Sequence, residues 1–135
     1  MRNRVATLLL LVLFGGCANL SGGPSTASFS VFFPPYSAEL DQQAQDAIQS
    51  AAAFAKSHPS QPVILIGYSA PPDPGKDVAG LSEMRNAAVK GILVSNGVAA
   101  DRISAVAKGT TDPKQSMPNV SVRRVDISVG ALPPE

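Results

Sequence analysis

The stretch "LSEMRNAAVKGILVSNGVAADRI", Leu81 to Ile103, runs from a helical pattern into the start of a strand. Leu81, Ala88, Val89 and Ile92 lie three, four or seven residues from Arg85, so this cation sits on the same side of the helix as an apolar stripe. The spacing predicts a helix from about Asp77, a good N-cap residue, to Asn96, with Gly97 as its stop because glycine takes the left-handed position past a helix end without steric penalty. "VAADRISAVAKG" then supplies a short turn and a strand from about Ser104 to Lys108. A cation beside an apolar stripe needs a partner, and three are open to Arg85: solvent reached by snorkelling, a local acid, or a ligand.

Upstream, "PVILIGYS" (Pro62–Ser69) is a nearly continuous apolar run, rich in branched residues and too short for a helix, which suits a buried strand. Before it, Ala44, Ala47, Ile48, Ala51, Ala52 and Ala55 recur at three- and four-residue spacing from Asp41 to Lys56, with Gln42, Gln43, Asp46 and Gln49 on the other face. That is an amphipathic helix, and Pro59 disfavours its continuation. Earlier still, Phe29, Val31 and Phe33 alternate in "SFSVFFPP", a strand that Pro34 and Pro35 end. Downstream, "TTDPKQSMPNVS" reads as a loop and "VRRVDISVG" as a last strand with Val122, Val125, Ile127 and Val129 as its apolar side chains. The order β-α-β-α-β-β implies an α/β (α+β) two-layer sandwich, with both helices on one face of a mixed four-stranded sheet.

The chain has 135 residues, one domain's worth, and its N-terminal segment stands apart. Met1–Arg4 is basic, Val5–Phe14 is apolar, and Gly15 and Gly16 precede the single cysteine, Cys17. The apolar run is well short of the roughly 20 residues that cross a bilayer, so it reads as a secretory signal. Residues 1–16 are expected to be cleaved, 17–28 to form a Gly/Ser-containing tether, 29–130 the domain and 131–135 a tail. Gly-Gly-Cys resembles the lipobox of bacterial lipoproteins, which implies acyl chains, palmitate among them, on Cys17. Ala18 after the cysteine is similar to lipoproteins sorted to the outer membrane. Cleavage near Ala18 without lipidation is the alternative.

Losing Arg2 and Arg4 leaves nine basic residues against ten acidic. Such a chain has no polybasic surface for phosphate, so nucleic acid is excluded as a partner. One cysteine allows no internal disulfide. With the single histidine, His58, in a helix-ending turn and Cys17 committed to lipid, no metal-ligand set can be assembled. No serine stands in a nucleophile-elbow context and no phosphate-cradling glycine loop occurs. An enzyme is therefore not expected, nor a cofactor.

The ordered motifs resemble the OmpA-like, peptidoglycan-associated domain family. "FFPPYSAEL" is similar to its opening strand and Ser-Ala-x-Leu turn, "VILIGYS" to the strand that ends in Gly-His-Thr-Asp, and "RRVDISV" to its final Arg-Arg-Val-Glu-Ile. "LSEMRNAAVKGILVSNGVAADRI" resembles the family's Leu-Ser-x-x-Arg helix through Gly-Val-x-x-x-Arg-Ile. The resemblance implies a domain facing the periplasm that holds the zwitterionic head of diaminopimelate, in the stem peptide of peptidoglycan, between an aspartate and an arginine. A carboxylate accepts several hydrogen bonds from an ammonium, and a guanidinium donates a planar fork that matches a carboxylate.

The family's arginine falls on Arg85, and its aspartate falls on Ala70. Tyr68, Ser69 and Ala70 stand where the family has His-Thr-Asp, and two pocket asparagines become Val78 and Val122. Ser69 keeps a hydroxyl, and Asp73 or Asp77 could reach in from "PPDPGKD", although Pro71, Pro72 and Pro74 stiffen that loop and both acids have ordinary readings as a turn residue and an N-cap. Arg123 and Arg124 alternate along the last strand, so one of them can face the site. Two readings follow: a lipid-anchored module linking the outer membrane to the wall, or a domain with an altered pocket that serves a protein partner in an envelope complex.

Overall fold

The computed structural model describes residues 26–69, 80–110 and 122–130. The signal, Cys17, most of the tether and the tail lie outside the described residues, as do Ala70, Asp73, Asp77 and Val78.

The elements follow the expected order: β1 (Ala27–Phe32), α1 (Gln42–Ser57), β2 (Val63–Ser69), α2 (Leu81–Ser95), a 3-10 turn (Ala100–Arg102), β3 (Ile103–Thr110) and β4 (Arg124–Val129). Four strands form one mixed sheet in the order β1-β4-β2-β3. β4 lies antiparallel to both β1 and β2, while β2 and β3 are parallel and joined through α2. The last strand in the chain is thus inserted between the first two. That position accounts for its composition, since Val125, Ile127 and Val129 are fully buried.

Both helices cover the same face. α1 contributes Ala44, Ile48, Ala51, Ala52 and Ala55 to the core and α2 contributes Val89 and Leu93, against Val31, Val63, Leu65 and Ile103 of the sheet. The alanines of α1 let the helix lie close to the sheet, and the branched strand residues fill the space beneath. Asp41 caps α1, its carboxylate accepting from the Ala44 N–H at 2.8 Å. Gly97, with φ 93°, ends α2. The Gly97 N–H donates to Val94 O at 2.9 Å and the Val98 N–H to Leu93 O at 3.0 Å, the paired bonds of a Schellman motif, and Val98 packs into the core beside Leu93.

Several boundaries differ from the sequence expectation, among them those of β3, which runs Ile103–Thr110, and three element starts. β1 begins at Ala27, so Ala27 and Ser28, read as the end of the tether, pair with Val129 and Ser128. α2 begins at Leu81 instead of Asp77, and its N-cap is Gly80 in the left-handed conformation, φ 73°, with no side-chain capping bond. β4 begins at Arg124, leaving Val122 and Arg123 ahead of the strand.

Candidate functional site

The site is built around Arg85, which is wholly inaccessible to solvent. Its fork is held by backbone oxygens from two segments: Nε donates to Ser37 O at 2.9 Å, Nη1 to Tyr68 O at 2.9 Å and Nη2 to Pro34 O at 3.3 Å. Tyr68 lies in β2, one residue before its end. Pro34 and Ser37 bracket a turn that closes through a bond from the Ser37 N–H to Pro34 O at 3.4 Å. Tyr36 within that turn has φ 54°, a left-handed conformation uncommon for a bulky residue. The twist aims both carbonyls at the guanidinium. Beneath it, the Phe33 ring lies 5.1 Å from the Arg85 carbon Cζ, a cation–π contact.

A close approach of α2 to β2 makes these bonds possible. A Cβ on Gly67 would stand 2.6 Å from Ser82 O and 2.7 Å from Asn86 Oδ1, so only glycine lets the first turns of α2 pack here. Asn86 Nδ2 donates to Val106 O at 3.0 Å and ties the same turn to β3, while its Oδ1 has no hydrogen-bond partner among the described residues.

Arg123 joins Arg85. Its Nε donates to Phe33 O at 3.3 Å, so the backbone and the ring of one phenylalanine hold the two cations together. Burial first, and the charge of Arg123 second, lower the Arg85 pKa from its ordinary value to about 10. The guanidinium therefore stays charged at neutral pH, at an electrostatic cost. Among the described residues neither arginine forms an ion pair with an acid.

Arg124 turns to the other face of the sheet. Its Nε donates to Asp126 Oδ1 at 3.0 Å and Oδ2 at 2.9 Å, and its guanidinium lies 4.6 Å from the Tyr68 ring centroid. Ser30 Oγ donates to the same carboxylate at 2.7 Å. Of the residues singled out in the sequence, Arg85 and Arg123 are brought together, with buried Ser69 next to Tyr68. Arg124 is directed away, and Asp73 and Asp77 lie outside the described residues.

Sequence reasoning missed Gly67, Tyr36 and Arg102. A glycine inside an apolar strand is a signal of close backbone approach and could have marked Gly67. Arg102 donates from Nη2 to Ala55 O at 3.0 Å, His58 O at 2.9 Å and Gln61 O at 2.7 Å, satisfying the end of α1 and the turn after it.

Two helices on one face of a mixed four-stranded sheet, with two arginines meeting at the end of β2, define an α+β domain of the OmpA-like fold. The chain belongs to the OmpA family, whose sequence pattern matches residues 32–125. No curated protein matches it. Among solved structures it is similar to the OmpA-like domain of FopA1 from Francisella tularensis, at 25% identity and a TM-score of 0.67, over 76% of this chain and 71% of that one. It is also similar to the peptidoglycan-associated lipoprotein from Burkholderia pseudomallei, at 26% identity and a TM-score of 0.63, over 75% of this chain and 89% of that one. The periplasmic domain of Helicobacter pylori MotB shares the fold at 19% identity and a TM-score of 0.64, over 79% of this chain and 77% of that one.

Proposed function

We propose that this chain is an outer-membrane lipoprotein, anchored through Cys17, whose domain faces the periplasm and binds a carboxylate of the diaminopimelate-containing stem peptide of peptidoglycan. The observation that carries the reading is the meeting of Arg85 and Arg123 at Phe33 with no acidic ion-pair partner among the described residues. Two close cations in a poorly solvated setting repel each other, and a carboxylate between or above them relieves that repulsion while accepting charge-assisted hydrogen bonds. Arg123 is half-buried and supplies the reachable donors, and Arg85 stands behind it as a fixed charge. Family membership and the similarity to a peptidoglycan-associated lipoprotein support the same ligand class.

Ala70 replaces the family's ammonium-binding aspartate, so the carboxylate half of the zwitterion dominates recognition. Loss of one partner of such a pair typically costs about 2 to 5 kcal/mol, and affinity for the wall should be modest. Ser69, Asp73 and Asp77 are the polar groups proposed to compensate.

Sedimentation of the full chain in mild detergent with purified sacculi tests the reading. Retention at low salt that Arg123→Gln abolishes is the expected result, and Ala70→Asp should strengthen it. A chain that stays in the supernatant at low salt would overturn wall binding and favour the second reading, a domain whose altered pocket around Ala70 and Val78 meets a protein partner, Val122 itself being buried.

A further inference from the structure

The order β1-β4-β2-β3 leaves β3 with one neighbouring strand and one open edge. The Gly130 N–H donates to Pro62 O, so Pro62, Ile64 and Ile66 turn their backbone groups to β4, and the alternate residues Val63, Leu65 and Gly67 turn theirs to β3. In the parallel register Ser104 and Val106 answer them. The N–H and C=O of Ala105 and Ala107 therefore point out of the sheet edge, as far as the bulge where Gly109 takes φ 65°. Ala105 and Val106 are exposed, Val106 at 48%. Such an edge is a template for another strand. Above it, Glu83, Asn86, Ala87 and Lys90 of α2 form one wall of a groove of about 240 Å³, and Ala105 and Ala107 form the other.

We propose that β3 pairs with β3 of a second copy, antiparallel about a two-fold axis through Val106, so that two four-stranded sheets join into one. Ala105 of each copy exchanges both backbone bonds with Ala107 of the other, and the two Val106 side chains meet across a non-hydrogen-bonded pair, where facing side chains are closest. The edge is thus self-complementary, as a two-fold interface requires. The helices fit this arrangement. Asn86 Nδ2 bonds Val106 O while its Oδ1 stands close over Gly67, so α2 lies across both β3 and β2. An axis normal to the sheet then sets the two α2 helices antiparallel on one face, two strand spacings or roughly 9.6 Å apart, within the usual 8 to 10 Å range. Exposed Ala87 lies on the facing flank and is small enough for that approach.

Charge selects a second copy as the occupant, and it selects the register. The bond from Asn86 puts the first half of α2 level with Val106, so the axis passes α2 between Asn86 and Ala87. Glu83 and Lys90 stand equally far on either side of that point, and the symmetry sets Glu83 of each copy against Lys90 of the other. Both belong to the wall of the groove, Glu83 exposed and Lys90 half-buried. Moving the axis one strand residue, to Ala105 or Ala107, shifts the partner of Glu83 by about four helix residues, onto Val94 or Asn86. Neither carries an opposite charge. The register that pairs the two Val106 side chains is therefore also the one that pairs the charges twice over. With a short run of strand and two turns of helix on each side, the contact belongs with small, reversible interfaces below roughly 1,200 Å².

The test uses the full chain in mild detergent, as an equal mixture of natural-isotope and ¹⁵N-labelled protein. Sedimentation equilibrium should show reversible dimers, and zero-length carbodiimide coupling should yield a mixed-label peptide joining Glu83 to Lys90. Val106→Lys should weaken association at least about tenfold with an unchanged unfolding midpoint, because that side chain is already exposed. Ala105→Pro should weaken it as well, by removing an edge donor that the ladder within one copy does not use. Glu83→Lys should weaken association, and Glu83→Lys with Lys90→Glu should restore it. A chain monomeric up to roughly 1 mM would overturn the proposal and leave the edge to an extended segment of another protein. A dimer indifferent to both Val106→Lys and Ala105→Pro would overturn it too. A dimer that these variants disrupt, but that gives no Glu83–Lys90 coupling and no charge-swap recovery, would overturn the register through Val106.

Discussion

Arg85 in α2 donates to the carbonyl of Tyr68 in β2 at 2.9 Å, and through Ser37 and Pro34 the same guanidinium holds the segment after β1. One side chain thus joins three parts of the chain, and any ligand role it has is superimposed on a structural one. Arg85→Ala would leave three carbonyls without their donor in a place sealed from solvent. An unsatisfied buried group costs about 1 to 3 kcal/mol, and partial relaxation should bring the total to roughly 3 kcal/mol. Urea denaturation should show a midpoint shift of that order. Lysine in its place, with three donors and no planar fork, should recover only part of it.

For that reason the binding experiment turns on Arg123. Its Nε bond to Phe33 O is 3.3 Å long and it is half-buried, so Arg123→Gln should cost well under 1 kcal/mol in stability. Loss of sacculus retention in a variant with an unchanged unfolding midpoint would separate recognition from folding. Retention unchanged by Arg123→Gln would remove Arg123 from the site.

The packing of α2 on β2 gives an independent prediction. Gly67→Ala places a methyl group 2.6 Å from Ser82 O and 2.7 Å from Asn86 Oδ1, and backbone cannot yield as a flexible side chain would. Overpacking of this kind costs about 1 to 3 kcal/mol. Thermal unfolding should register it, and amide exchange of α2 should accelerate more than that of α1. An unchanged melting temperature would show that helix and strand are farther apart than these distances state.

Much of this fold was legible in the sequence because burial periodicity and burial coincide. The alanine stripe of α1, the apolar run of β2 and the glycine stop after α2 each report a local preference that the tertiary structure reinforces. Other features depend on contacts that no local pattern carries. Asp77 had the chemistry of an N-cap, yet α2 begins at Leu81 after a left-handed Gly80, and its first turns pack closely over Gly67. Alternation separated Arg123 from Arg124 but gave no direction, since that requires knowing that Phe33 lies beside one and Asp126 beside the other. The carbonyl ring around Arg85 arises from segments 17 to 51 residues away in sequence.

Arg102 illustrates the same point with a stability consequence. It sits in the 3-10 turn before β3 and bonds carbonyls of Ala55, His58 and Gln61, joining the end of α1 to the start of the second βαβ strand. Arg102→Ala should cost roughly 2 to 3 kcal/mol, the range for hydrogen bonds to a charged group whose acceptors are left partly buried. Hydrogen exchange should show the last turn of α1 and the turn at Gln61 opening ahead of the rest of the domain. Uniform loss of protection would instead assign Arg102 to the global core.

The pH dependence of wall binding follows from the sign of the Arg85 shift. Its pKa is lowered to about 10 by burial and by Arg123, so folding favours the neutral form and the unfolded chain holds more proton from about pH 10 up to the ordinary arginine range. The penalty of keeping Arg85 charged is fully present below pH 10 and is relieved as pH rises through that window, which makes it constant across the physiological range. A bound carboxylate opposes this shift, because an anion stabilises the charged guanidinium. Retention on sacculi should therefore be flat from about pH 6 to 9. It should fall only as the ligand carboxylate takes up its proton, near pH 4 or below, and salt should weaken it throughout by screening the half-buried Arg123. Retention that instead fell between pH 6 and 9 would point to a group titrating in that range, such as an ammonium or imidazole contact, and would count against recognition by the arginine pair.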